Sequence, residues 1–189
     1  MEIFLIRHTT PDVPKGICYG QADLDLAASF TAEAAAIRTF VPVTPAAVYS
    51  SPLQRCSKLA AFLFPDQQVQ QESDLKELHF GQWELMEWSQ IPQAELQPWM
   101  DNFVEVAVPG GESYAALAAR SIRAFERAAS SALPAVIVAH GGVIRSILAY
   151  VSGTPLQESF NTFQVNYGCV VQISKQGTNF CYKLLHNPK

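Results

Sequence analysis

Three segments of the 189-residue sequence share one pattern, in which a short apolar run leads into a polar cluster and then into a helix-like stretch. The apolar runs are residues 3–6, 46–49 and 135–139. Continuous apolar runs without alternation predict strands that are buried on both faces, as in parallel sheets. Strands that alternate with helices indicate a layered α/β sandwich, in which ligands bind beyond the carboxyl ends of the strands. All three polar clusters fall at such ends.

Local signals predict some of the other elements. Ser51, followed by Pro52 and Gln54, predicts a helix that begins with a side-chain cap at Ser51. Apolar residues recur at helical spacing from Ser113 to Ser130 and predict an amphipathic helix there. Residues 169–173 and 180–185 flank a Gln176-Gly177 turn, which predicts a β-hairpin near the end of the sequence.

Length and composition narrow the class of protein. A chain of 189 residues with 49% apolar residues is expected to form one domain, 1–189. The net charge of -4 and the lack of any basic run argue against binding to nucleic acid or to an anionic membrane. The longest apolar run, residues 59–64, is too short to span a bilayer, and no signal peptide is recognisable. The four cysteines are scattered, which favours reduced thiols in a cytoplasmic protein.

Two histidines and two arginines stand at the predicted strand ends. Arg7-His8 alone is a weak signal, because a core histidine beside a surface arginine is common. His140 ends a second strand, and the glycines after it allow a ligand to approach the backbone at a helix N-terminus. Arg55 lies in the first turn of another helix, where an unpaired cation opposes the helix dipole. Together these residues predict a phosphate pocket with His8 as a nucleophile.

Breaking a phosphate ester also requires a proton donor for the leaving oxygen. Glu77 is the candidate, but Glu72, Asp74 and Glu84 are close in sequence, and chemistry alone does not choose among the four. The four histidines lack the spacing of metal ligands, so a mechanism without metal or other cofactor is favoured.

In several short motifs the sequence resembles the histidine phosphatase (phosphoglycerate-mutase-like) superfamily. The motifs that carry the resemblance occur in family order: LIRHT (5–9), SPLQRC (51–56), LKE with FGQWE (75–77 and 80–84) and AHGG (139–142). The closest similarity is to the α-ribazole phosphatase branch, through CYGQAD (18–23), WMDNF (99–103) and PGGESY (109–114). The resemblance implies a three-layer α/β/α sandwich with a mostly parallel sheet, as in phosphoglycerate mutase.

The resemblance also implies a role for each matching residue. His8 is the histidine phosphorylated during turnover, and Glu77 is the proton donor. The phosphoryl oxygens are held by Arg7, Arg55 and His140. Substrate-side residues are Tyr19, Gly20, Gln21 and Gly141. No metal site or cofactor is implied, and the partner is a small phosphorylated substrate.

The substrate implied by the branch is α-ribazole 5′-phosphate, which is dephosphorylated to α-ribazole during assembly of the cobalamin nucleotide loop. The segment of about residues 83–111 holds all three tryptophans and can form a lid that stacks on an aromatic leaving group, or can simply be core. A broad-specificity sugar or nucleotide phosphatase is the main alternative. Pro11 and Pro14 stand where mutases carry phosphate ligands, so a phosphoglycerate mutase ranks lower. A non-catalytic phospho-ligand binding domain is also less favoured, because His8 and Glu77 are present.

Overall fold

The computed structural model describes residues 2–131, 134–177 and 179–189. The strands in these residues are β1 (Glu2–Arg7), β2 (Ala47–Ser50), β3 (Val69–Gln71), β4 (Ala135–Ala139), β5 (Val170–Gln176) and β6 (Asn179–His186). The helices are α1 (Phe30–Arg38), α2 (Gln54–Leu63), α3 (Gln93–Asp101), α4 (Tyr114–Ala129), α5 (Gly141–Ser152) and α6 (Ser159–Thr162). Short 3₁₀ turns lie at Ser73–Leu75, Gly81–Trp83, Trp88–Gln90 and Leu156–Glu158.

The described strands form one mixed sheet in the order β3-β2-β4-β1-β5-β6. The first four strands in this order are parallel, whereas β5 runs antiparallel to both β1 and β6. The three strands predicted from the apolar runs are neighbours at the centre of the sheet. Arg7 pairs with Ala139 and Ser50 with Val138, so the carboxyl ends of β1, β2 and β4 lie side by side. The polar residues that follow these strands are therefore brought to one edge of the sheet.

Helices cover both faces of the sheet. Alternate residues of each central strand point to opposite faces, as the pleat of a β-strand requires. One face packs against α4 and α5, in a cluster that includes Ile3, Leu5, Ile137, Phe125 and Ile147. The other face packs against α1 and α2, in a cluster that includes Phe4, Ile6, Val136, Ile37 and Leu59. The predicted three-layer α/β/α sandwich with a mostly parallel sheet is confirmed.

The local predictions have mixed outcomes. Helix α4 begins as predicted, with Ser113 Oγ accepting a hydrogen bond from the amide of Ala116 at 3.2 Å. The predicted cap at Ser51 is wrong: α2 begins at Gln54, whose amide donates instead to Asp23 Oδ1 at 2.7 Å. Ser51 Oγ instead lies 2.8 Å from His140 Nε2, which holds it at the end of β2. The hairpin of β5 and β6 is present, with Gly177 at a φ of 61°, while Thr178 lies outside the described residues.

The tryptophan-rich segment packs into a small cluster of its own beside the main core. Its buried members are Cys18, Trp83, Ile91 and Val108, with Trp88 and Trp99 packed against them. Trp83 is almost fully buried, and its indole N–H donates to Glu95 at 3.0 Å. The division into a single domain with a lid at about 83–111 stays a prediction.

In the described parts of the chain, no helix is long enough and apolar enough to cross a bilayer.

Candidate active site

The ends of β1, β2 and β4 bring the predicted phosphate-binding residues together. The His8 amide donates to the carbonyl of Ala139 at 3.0 Å, which fixes the turn after β1 against the end of β4. The imidazole rings of His8 and His140 then meet edge to face, with their centroids 5.1 Å apart. A cavity of about 130 Å³ opens at this point, and its walls include Arg7, His8 and Glu77.

His8 is held in the form that a nucleophile requires. Its Nδ1 lies 2.7 Å from the carbonyl oxygen of Thr9, and a carbonyl oxygen can only accept a hydrogen bond. Nδ1 therefore carries the hydrogen, and Nε2 keeps its lone pair. Burial, followed by the charges of Arg7 and Arg55, holds the pKa of His8 well below its ordinary value. The ring is thus neutral at neutral pH.

The two predicted arginines frame His8. Arg55 is fully buried and donates from Nη1 to the Ala22 carbonyl at 2.9 Å and from Nη2 to the Gly20 carbonyl at 2.5 Å. Arg7 donates from Nη1 to the Val165 carbonyl at 2.5 Å. The Nε atoms of both arginines are buried and have no partner among the described residues. Buried donors without acceptors are costly, so this pair of guanidinium groups is suited to an anion.

His140 packs against His8 at the end of β4 as a neutral imidazole. It immediately precedes α5, and its Nε2 is 2.8 Å from Ser51 Oγ. Burial and the charge of Arg55 hold the pKa of His140 well below its ordinary value. Gly141, the first residue of α5, lines the cavity, so a ligand there lies at the N-terminus of a 12-residue helix.

The structure separates the four candidate acids. Glu77 lines the cavity, and its Oε2 accepts the amide hydrogen of Gly142 at 3.0 Å. Glu72 and Asp74 both bind Arg127 on the surface, each at 2.9 Å. The Glu84 carboxylate accepts four backbone N–H groups and lies outside the cavity wall. Of the four candidates, Glu77 shares a cavity with His8, and this position favours it as the proton donor for an ester bound there.

The predicted substrate-side residues occupy different positions. Tyr19 and Gly141 line the cavity. Gly20 lies behind it, packed so closely that a Cβ atom there would be 1.7 Å from the Leu78 carbonyl oxygen. Gln21 also lies behind it and donates from Nε2 to the Glu77 carbonyl at 3.1 Å. Gly20 and Gln21 thus support Arg55 and Glu77 from behind and do not face the cavity.

Three residues near the cavity were not identified from the sequence. Arg145 lines the cavity from α5, four residues after Gly141, and this helical spacing was an available signal. Tyr167 packs over Arg7, with the guanidinium carbon 4.0 Å from its ring centre, and its hydroxyl bonds that of Tyr19. Arg120 donates to the Glu77 carbonyl at 2.9 Å and forms an ion pair with Glu112. No sequence pattern pointed to Tyr167 or Arg120.

An apolar groove adjoins the cavity beside His8. It has a volume of about 390 Å³, and residues that line only the groove are Trp88, Trp99, Met100 and Phe103. Four residues line both spaces: Leu78, Phe80, Tyr114 and Phe160. The groove and the cavity beside His8 are therefore adjacent and share a wall.

Across the portions of the chain that the structure describes, no group of three or more His, Cys, Asp or Glu side chains is arranged to hold a metal ion.

Comparison with known proteins places this geometry in a family. The family model for the histidine phosphatase superfamily, branch 1, matches residues 3–188. The metal-independent phosphoserine phosphatase of Arabidopsis thaliana is 34% identical over 158 residues, which are 77% of this chain and 66% of that protein. The adenosylcobalamin/α-ribazole phosphatase of Escherichia coli is 27% identical over 178 residues, which are 89% of this chain and 87% of that protein.

Solved structures agree with this assignment at the level of the fold. The α-ribazole phosphatase from Shigella flexneri superposes with a TM-score of 0.89 at 24% identity, over 98% of this chain and 96% of that one. The family-model match confirms the resemblance inferred from the sequence motifs. With the strand-end geometry described above, these matches show that the chain belongs to the histidine phosphatase superfamily, branch 1.

Proposed function

We propose that this protein hydrolyses a small phosphate monoester through a phosphohistidine formed on His8. The observation that carries the proposal is the hydrogen bond from Nδ1 of His8 to the Thr9 carbonyl, which leaves the Nε2 lone pair free. Glu77, Arg7 and Tyr19 line the same cavity. The phosphatase names of the relatives support the same reaction class.

In the first step, the His8 Nε2 lone pair attacks phosphorus and the bond from phosphorus to the ester oxygen breaks. Glu77 gives its proton to that oxygen, so the leaving group departs as an alcohol. Arg7, Arg55 and the N-terminus of α5 stabilise the charge on the transferring phosphoryl group. In this mechanism, positioning and electrostatics supply most of the rate.

In the second step, a water oxygen attacks the phosphorus of phosphohistidine and the bond from Nε2 to phosphorus breaks. The Glu77 carboxylate takes a proton from the water, which restores the acid for the next cycle. The products are inorganic phosphate and neutral His8. Because the guanidinium groups carry the electrostatic role, this mechanism requires no metal ion, and a chelator is expected to leave the rate unchanged.

A trapping experiment tests the intermediate. The enzyme is quenched in denaturant during turnover of a ³²P-labelled ester, and acid-labile, base-stable label on His8 is sought by peptide mapping. His8→Ala is expected to lose both the label and the turnover, whereas the matched change His186→Ala, at the end of β6, keeps both. Turnover by His8→Ala, or loss of activity with a chelator, contradicts the mechanism.

We further propose α-ribazole 5′-phosphate as the substrate, for a place in assembly of the cobalamin nucleotide loop. The apolar groove supports this proposal, because its aromatic walls suit the dimethylbenzimidazole ring of such an ester. Trp88 and Trp99 stack at an interplanar angle of 28°, so the wall of the groove is built from packed rings. The Escherichia coli relative, which is an adenosylcobalamin/α-ribazole phosphatase, supports it as well.

Ribose 5-phosphate is the matched control substrate, because it keeps the phosphoryl group and the ribose but lacks the base. We expect kcat/KM for α-ribazole 5′-phosphate to exceed that for ribose 5-phosphate by about tenfold or more, as stacking of one base contributes about 1–3 kcal/mol. Trp88→Leu is expected to reduce this preference without changing the rate for ribose 5-phosphate. Equal kcat/KM values for the two esters contradict the assignment and indicate a broad-specificity phosphatase.

A further inference from the structure

Arg145 is a third guanidinium group at the catalytic cavity, and the mechanism above does not use it. Gly141 separates it from Arg7: a Cβ atom on Gly141 would lie 3.0 Å from Arg145 Nη1 and 3.3 Å from Arg7 Cζ. Because Gly141 has no side chain, the space between the two cations stays open. Two like charges that flank an open space favour an anionic or strongly polar oxygen between them.

The side chain of Arg145 is fixed by a backbone carbonyl and an aromatic ring, without a direct ion pair in the described residues. Its Nε donates to the Phe163 carbonyl at 3.1 Å, and its guanidinium carbon is 4.8 Å from the ring centre of Phe160. No carboxylate in the described residues forms an ion pair with it, whereas Arg120 and Arg127 both have carboxylate partners. Burial and then the charge of Arg7 lower the pKa of Arg145, and the nearby Glu77 carboxylate offsets only part of this effect.

The position of Arg145 also determines which part of a substrate it can reach. Phe160, against which it packs, lines both the catalytic cavity and the apolar groove. Arg145 therefore lies between the position of the reacting phosphoryl group in the cavity and the position of the leaving group towards the groove. The atoms that occupy this position are the first carbons of the leaving alcohol and their substituents.

Charge balance points in the same direction. His8 and His140 are neutral, so a phosphate dianion is matched by the charges of Arg7 and Arg55 when Glu77 is protonated as the acid. The charge of Arg145 then remains. A cation left in a half-buried site stabilises an acceptor that is bound next to it, and it stabilises a carboxylate more than a hydroxyl group.

We propose that Arg145 is a specificity-determining residue that donates hydrogen bonds to an oxygen acceptor on the leaving alcohol, close to the ester oxygen. This inference rests on the proposed phosphatase function. In a ribosyl 5′-phosphate the acceptor is a ribose oxygen. In an ester of a hydroxy acid the acceptor is the carboxylate, which binds Arg145 more tightly.

Three-carbon esters provide the test, since they differ only at the proposed contact. Propyl phosphate has no acceptor on its leaving group, glycerol 3-phosphate has hydroxyl groups, and 3-phosphoglycerate has a carboxylate and a hydroxyl group. The rates of phosphate release are measured for the wild type, Arg145→Met and Arg145→Lys. Arg123→Met, on the exposed face of α4, is the control for the substitution itself.

In the wild type, kcat/KM is expected to rise from propyl phosphate to glycerol 3-phosphate to 3-phosphoglycerate. Arg145→Met should lower the value about ten- to a hundredfold for 3-phosphoglycerate, and less for glycerol 3-phosphate. It should lower the value for propyl phosphate far less than for 3-phosphoglycerate, because propyl phosphate offers no acceptor to Arg145, and the control should leave the order of the three esters unchanged. Arg145→Lys keeps the charge and should recover part of the preference for the carboxylate.

Two results overturn the inference. One is a wild-type enzyme with no preference among the three esters, a result that does not depend on the folding of any variant. The other is an equal loss for all three esters in Arg145→Met, which makes Arg145 a phosphate ligand or a structural residue. If no ester is hydrolysed, the proposed function fails separately. Calorimetric binding of the same esters to the same variants then decides whether Arg145 selects the acceptor.

Discussion

Glu84 stabilises the loop that positions Arg55, and replacing it with glutamine tests how much this loop contributes. Its Oε1 accepts the amides of Gln21 and Phe80 at 2.7 and 3.1 Å. Its Oε2 accepts the amides of Gly20 and Ala22 at 2.9 and 3.1 Å. Glutamine keeps one accepting oxygen and places an NH₂ group against the other two N–H groups.

The expected magnitude follows from the two lost acceptors. A backbone N–H left without its partner costs about 1–3 kcal/mol, so two of them cost about 2–6 kcal/mol if the loop stays closed. Because Glu84 is only half-buried, water relieves part of this cost. We therefore expect Glu84→Gln to lower the free energy of unfolding by about 2–3 kcal/mol.

The loop also transmits the change to the phosphate pocket. The carbonyls of Gly20 and Ala22 accept the two Nη groups of Arg55, so a loosened loop leaves that guanidinium less well placed. The inhibition constant of inorganic phosphate should rise by about tenfold, which corresponds to about 1.4 kcal/mol. The fold should survive, because the sheet and its two helical layers are untouched.

Equilibrium unfolding in urea, followed by circular dichroism, measures the first effect, and phosphate inhibition of ester hydrolysis measures the second. Glu87→Gln is the matched control, because the Glu87 side chain is exposed and accepts a hydrogen bond from the Ser89 hydroxyl at 3.2 Å, with no backbone amide of the described residues bound to its carboxylate. A Glu84→Gln protein whose free energy of unfolding lies within about 0.5 kcal/mol of this control refutes the reasoning.

Two further predictions concern protons. Since burial holds the pKa of His8 and His140 below 6.5, the unfolded chain binds protons first as the pH falls. Above pH 6.5 the two histidines keep their full contribution to the free energy of unfolding. Below pH 6.5 the free energy of unfolding should decline by up to about 2.7 kcal/mol per pH unit. His8→Gln should halve this slope in urea titrations. A slope that His8→Gln leaves unchanged contradicts the assignment. Gly142→Ala puts a Cβ 2.4 Å from Glu77 Oε1, so kcat for alkyl phosphates should fall about 10²–10⁴-fold. Hydrolysis of p-nitrophenyl phosphate, whose leaving group needs no proton, should fall far less, and an equal fall for both esters refutes the role of Glu77.

Much of the fold could be predicted because it depends on local patterns. The apolar runs at 3–6, 46–49 and 135–139 are strands that are buried on both faces, and such strands belong at the centre of a parallel sheet. Their neighbouring positions in the sheet follow from that burial. The convergence of His8, Arg55 and His140 could therefore be anticipated from three short segments, because parallel strands end at the same edge.

The local prediction at Ser51 failed for a physical reason. Its side chain has the chemistry of a helix cap, but His140, which is distant in the sequence, lies 2.8 Å from the same oxygen. The contact across the sheet edge holds Ser51 at the end of β2, and α2 begins three residues later, at Gln54. Cap signals describe what a side chain can bind, not which of its possible partners is nearby.

The sequence by itself determined the layered fold, the family and the residues at the strand ends, because periodic burial and short motifs are properties of neighbouring residues. Only the tertiary structure separated Glu77 from Glu72, Asp74 and Glu84, since four carboxylates in one stretch have the same chemistry. They bind different partners in the folded chain. Glu72 and Asp74 bind Arg127, Glu84 accepts the backbone amides of residues 20–22, and Glu77 accepts the amide of Gly142. The placement of Arg145 beside Arg7 was decided in the same way, by the packing of α5 against the end of β1.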